Sequence, residues 1–126
     1  MTDAEAALTR LTDAILADTG FRDRDWTHIL LIYTIDGAVS EFGYLFGPGD
    51  ACEAAGTDDW AILDHVTALR TATTAAGGAP AWRQCLIHLA RSTGHGSARF
   101  DETPTRWRPD PADPIGHARR MLAGVS

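Results

Sequence analysis

The stretch from Trp26 to Phe46 constrains the fold more than any other. Ile29, Leu30, Leu31, Ile32 and Tyr33 run without interruption, the chain reaches Asp36-Gly37, and a second apolar run returns from Ala38 to Phe46. Runs of β-branched and aromatic residues of this length favour strands. Asp-Gly between two such runs predicts a two-residue hairpin, because the type I′ turn needs positive φ at both central positions. That turn sets a register with Ile35 opposite Ala38, Leu31 opposite Phe42 and Ile29 opposite Tyr44. One face then carries Ile29, Leu31, Tyr33, Ile35, Phe42, Tyr44 and Phe46, and is the expected core face. The other, with His28, Leu30, Ile32, Thr34, Val39, Glu41 and Leu45, is mixed, and is expected to be partly exposed or partly covered by a partner.

The remaining elements follow from periodicity and punctuation. Residues 3–18 read as a helix, with Ala4, Leu8, Leu11 and Ile15 on one stripe, a Thr2/Glu5 capping box and Gly20 as the stop. Residues 47–57 read as a glycine-rich loop. Thr57 is the expected N-cap of a second helix running to about Ala76, with Ile62, Val66, Leu69 and Thr73 on its core stripe and Gly77-Gly78 at its end. Residues 81–90 and 97–101 read as two further strands. Asp113 caps a last helix with Pro114 in its first position. The expected fold is a single α+β domain over residues 1–126, in the order α-β-β-α-β-β-α, with an antiparallel sheet of about four strands and helices on one face.

A chain of 126 residues is long enough to bury a core without a disulfide or metal. Cys52 and Cys85 are expected to be reduced thiols. There is no lysine, since all 11 basic residues are arginine. That excludes a Walker A lysine, a Schiff-base lysine and a lysine general base. No apolar run approaches a membrane span, and Met1 leads directly into an amphipathic stretch, so the expectation is a cytoplasmic domain with no membrane association. The net charge of −6 is uneven. Between Arg24 and Arg70 stand eight acids (Asp25, Asp36, Glu41, Asp50, Glu53, Asp58, Asp59 and Asp64) and no base. Such a surface repels nucleic acid and attracts a basic protein.

A search for catalytic chemistry finds little. His28, His65, His88, His95 and His117 form no HxxxH or HExxH pattern, and neither cysteine stands at ligand spacing, so no metal or cofactor is expected. No GxSxG elbow is present. The 91–97 segment, Arg-Ser-Thr-Gly-His-Gly-Ser, has the composition of an anion cradle but lies between two strands rather than before a helix. Trp60 is the most informative aromatic. On the wheel of the second helix it lies about 160° from Ile62, away from the core stripe, so it is either exposed or covered by the 47–57 loop.

Taken together, Trp26 to Tyr33 with its Asp-Gly turn, Phe42 to Phe46, Leu69-Arg70 closing a helix, Gly78 to Leu89 with Trp82 at its centre, and Arg99-Phe-Asp-Glu102 form a recognisable series. This series resembles the YezG-like immunity protein family, small antitoxins encoded beside polymorphic bacterial toxins. The likeness spans about residues 5–105 and is most specific from 69 to 101, where Phe100-Asp101 stands for the family's aromatic-Asp pair. The Ser92–Ser97 turn is more elaborate than the family pattern, and the C-terminal segment matches it poorly.

The resemblance implies a protein that neutralises a cognate toxin, often a nuclease, by binding it, with no active site of its own. The expected partner is a basic toxin docking on Glu41, Asp50, Glu53, Asp58 and Asp59 with Trp60 as anchor. The mixed hairpin face around Leu30, Ile32 and Leu45 is the alternative docking surface. Two rival functions stay open: an enzyme with a shallow site on His88, Arg99 and Asp101 of the second hairpin, and a structural or adaptor module.

Overall fold

The central strand of the molecule is buried on both sides. A computed structural model of the chain describes residues 2–49, 51–77 and 81–125. Its elements are α1 (Asp3–Ala17), β1 (His28–Asp36), β2 (Ala38–Phe46), β3 (Cys52–Ala54), α2 (Ile62–Gly77), β4 (Gln84–Ala90), β5 (Gly96–Asp101) and α3 (Pro114–Val125). The strands form one antiparallel sheet in the order β3-β2-β1-β4-β5. This is the expected α+β domain with five strands rather than four, the extra one being β3 within the segment expected to be a loop. The Thr2/Glu5 capping box closes the start of α1 as expected. Of the Gly77-Gly78 stop, Gly77 is the last residue of α2 and Gly78 lies outside the described residues.

The first hairpin departs from its expected register by one residue. Ile35 pairs with Val39, Leu31 with Gly43 and Ile29 with Leu45, while Phe42 lies opposite Ile32. The chain reverses around Gly37 alone, at φ +80°, while Asp36 stays in the strand. Asp36 is held there by Arg83, just before β4, which bonds its carboxylate and also donates to the Ile35 carbonyl. Side chains alternate along a strand, so this single-residue change turns all of β2 over. Leu45 joins Ile29, Leu31 and Tyr33 in one core, whereas Phe42, Tyr44 and Phe46 join Leu30 and Ile32 in another. Gly43 suits its place opposite Leu31, because a Cβ there would strike the Leu30 carbonyl and the Leu31 side chain.

Two cores result, and helices cover both faces rather than one. On the first face Leu11 and Ile15 of α1 and Ile62, Val66 and Leu69 of α2 pack on β1 and β4, with Trp26 and Trp82 also buried. Trp82 is fixed by its indole N–H donating to the Thr73 hydroxyl at 2.8 Å. On the second face Trp107, Ala118 and Met121 cover Leu30, Ile32, Tyr44, Phe46 and Leu86. The Trp107 backbone N–H is anchored on the buried Gln84 side chain at 2.8 Å. Leu30 and Ile32 are therefore fully buried, and Leu45 lies on the opposite face from them, so the alternative docking surface does not exist as a surface.

Candidate partner-binding site

The segment between β3 and α2 is shaped by two carboxylates from elsewhere in the chain. Asp18 follows the last residue of α1 and is 95 % inaccessible, with a relative exposure of 5 %. It accepts backbone N–H groups from Gly20 at 2.8 Å, Asp58 at 2.8 Å and Asp59 at 3.0 Å. Burial by itself would raise the Asp18 carboxyl, but those three donors and the nearby Arg22 hold it below the usual carboxylate value. Glu41, on β2, accepts the Thr57 N–H at 2.8 Å and the Thr57 hydroxyl at 2.7 Å. Beside it the Tyr33 hydroxyl is buried without a well-formed hydrogen bond. Burial, and then the Glu41 charge, push that phenol well above its ordinary value.

Thr57 is consequently not the cap of α2. The helix begins at Ile62, after a tight turn in which the N–H groups of Ile62, Leu63 and Asp64 bond the carbonyls of Asp59, Trp60 and Ala61. Asp59 adds its carboxylate to the Ala61 N–H at 2.9 Å. Trp60 lies in this turn, before the helix rather than on its outer face, and is 83 % exposed. Its ring borders a groove of about 480 Å³ that is also lined by Val39, Glu41, Thr57, Asp58 and Leu63.

Of the six expected partner-binding residues, the fold brings four together: Glu41, Asp58, Asp59 and Trp60 all line this groove. Glu53 lies apart on β3 and pairs with Arg24. Asp50 lies outside the described residues. The three groove carboxylates also have structural partners, since Asp58 accepts the Thr19 hydroxyl at 2.8 Å. Each therefore also helps to hold the 57–61 segment in place.

The residues of the rival enzymatic site, His88, Arg99 and Asp101, share one sheet face, but His88 and Asp101 are committed elsewhere. His88 stacks on His28, with ring nitrogens 2.9 Å apart, and burial, His28 and Arg99 lower its pKa. Asp101 accepts both the hydroxyl and the N–H of Thr103 and pairs with Arg106. Among the described residues no group of three or more His, Cys, Asp or Glu is arranged to hold a metal ion. The described cysteines Cys52 and Cys85 are both free thiols, and burial raises Cys85 well above an ordinary thiol. Among the described residues no helix is long and apolar enough to cross a membrane.

Two features were not found by sequence reasoning. The His28–His88 pair joins residues 60 positions apart through strand pairing and has no local signature. Asp18 did have one: an acid at a helix C-terminus opposes the helix dipole, so it needs another reason to be there. That reason is the loop it holds. No family model and no curated protein matches the chain.

Proposed function

We propose that this protein is an immunity protein, which neutralises a cognate toxin by binding it, and that the toxin docks on the groove between β2 and the Trp60 turn. The observation that carries this reading is the exposure of Trp60 at 83 % on a turn pinned by Asp18 and Glu41. A large aromatic ring on a pinned backbone loses little conformational entropy on binding, and tryptophan is the residue type most enriched at interface hot spots. Glu41, Asp58 and Asp59 surround it with negative charge, which favours a basic partner and speeds its approach. The resemblance of residues 5–105 to YezG-like immunity proteins points the same way.

The test uses the product of the adjacent reading frame as the candidate toxin. Expressed alone it should arrest growth, and coexpression of this protein should restore it. Trp60→Ala should weaken the complex about thirtyfold, mainly through faster dissociation. A neighbour that is harmless alone but still binds would support an adaptor module instead. Binding that is unchanged by Trp60→Ala and insensitive to salt would remove the groove as the docking site.

A further inference from the structure

The other side of the sheet gathers arginines. Between α3 and β5 lies a cleft of about 350 Å³ whose floor is apolar, formed by Leu86, Trp107, Met121 and Val125. Its rim is cationic: Arg99 from β5, Arg106 from the segment before α3, and Arg120 from α3. Three of the chain's 11 arginines converge here, with Asp101 beside Arg106 and Asp110 and Asp113 beside Arg120. The volume falls in the range of small-molecule sites, and an apolar floor with a few convergent polar groups is their usual composition.

The rim donors are poorly used by the protein itself. Among the described residues Arg99 makes no ion pair or hydrogen bond, although it faces the same side as its cross-strand partner Leu86. Arg120 stands 3.9 Å from Asp110 and 3.8 Å from Asp113, beyond hydrogen-bonding distance. Arg106 pairs with Asp101 at 3.2 Å, with its guanidinium 5.2 Å from the centre of the Trp107 ring. His117 lines the same cleft, and its Nδ1 is buried with no partner among the described residues.

We propose that this cleft binds a small organic phosphate, with the phosphate between Arg99 and Arg120 and an aromatic or apolar body on the Trp107–Met121 floor. Guanidinium groups suit this role because their planar array of donors matches phosphate oxygens. The site lies on the opposite face of the sheet from the Trp60 groove and does not depend on the proposed immunity function.

The test is a titration of the full chain with phenyl phosphate, followed by NMR of the Leu86 and Met121 methyl groups. Saturable shifts at those methyls are expected, with a Kd of about 1 mM or tighter for a ligand of this size. Inorganic phosphate should bind more weakly, and benzyl alcohol should not shift them. Arg99→Gln together with Arg120→Gln should weaken phenyl phosphate about tenfold or more while the melting temperature stays near that of the parent, because both side chains are exposed. Trp60→Ala serves as the control and should leave the titration unchanged. The proposal is overturned if phenyl phosphate gives no saturable shift at these methyls, if the double substitution leaves its affinity intact, or if inorganic phosphate binds as tightly. Binding of a DNA oligonucleotide without binding of phenyl phosphate would also overturn it, in favour of a nucleic-acid surface.

Discussion

Glu41 accepts two hydrogen bonds from Thr57, one from its backbone N–H at 2.8 Å and one from its hydroxyl at 2.7 Å. The pair stands where β3 would otherwise continue alongside β2, since the last backbone bond between these segments runs from Ala55 to the Gly43 carbonyl. A side chain thus takes over from the ladder and turns the chain toward α2.

Replacing Glu41 with Ala should therefore cost about 1–3 kcal/mol, because the two Thr57 donors lose their acceptor. Urea denaturation measures the loss. Amide exchange should quicken across residues 57–61 before it changes in β1, which separates loosening of the turn from general destabilisation. Glu41→Gln, which keeps one acceptor, should fall between the two.

Acid stability should depend on Asp18. Its folded-state pKa lies below the ordinary carboxylate value, so between the two values the unfolded chain binds more protons than the folded one. Its contribution is fully present above the unfolded pKa, near 3.9, and is lost as pH falls through the folded value. Urea midpoints of the parent should drop as pH falls below about 4. Asp18→Asn should be less stable at pH 7 and show a shallower decline. A slope identical to the parent's would mean that the three N–H bonds do not favour the charged form.

Tryptophan emission should report two populations. Trp26, Trp82 and Trp107 are buried, and Trp60 is 83 % exposed. Acrylamide should quench one component readily, and Trp60→Phe should abolish that component alone. The same substitution should change stability by no more than about 0.5 kcal/mol, since it removes no core contact.

Leu30 and Leu31 are adjacent, fully buried and belong to different cores. Leu30→Ala and Leu31→Ala should each destabilise the protein by about 2–5 kcal/mol. A sheet covered on one face would show a large loss for only one of them, so denaturation of the pair checks both the register and the placement of α3.

The hairpin, the three helices and the α2 stripe were legible because each rests on local signals: alternation, a capping box, Asp-Gly. Register was not, because Asp36-Gly37 permits more than one turn and the choice is made by Arg83, 47 residues away. A clue did exist in the uninterrupted run Ile29–Tyr33. A strand exposed on one face alternates, whereas one covered on both faces reads as continuous apolar sequence, as this one does. The exposure of Trp60 was expected as one of two outcomes, but for a helix start that Glu41 displaces by several residues. The cationic cleft was hidden because Arg99, Arg106 and Arg120 meet only once α3 folds back across the sheet.

Strand order also sets a timetable for the chain as it is made. β1 lies in the middle of the sheet, yet its second neighbour, β4, follows only after β2, β3 and α2. At roughly 5–20 residues per second, several seconds separate the emergence of Asp36 from that of Ala90. During that interval the β1–β2 hairpin offers an open apolar edge that β4 alone can close. α3 follows all five strands, so the second core stays wet until α3 arrives. A ribosome stalled before Gln84 would hold the most adhesive form of this protein.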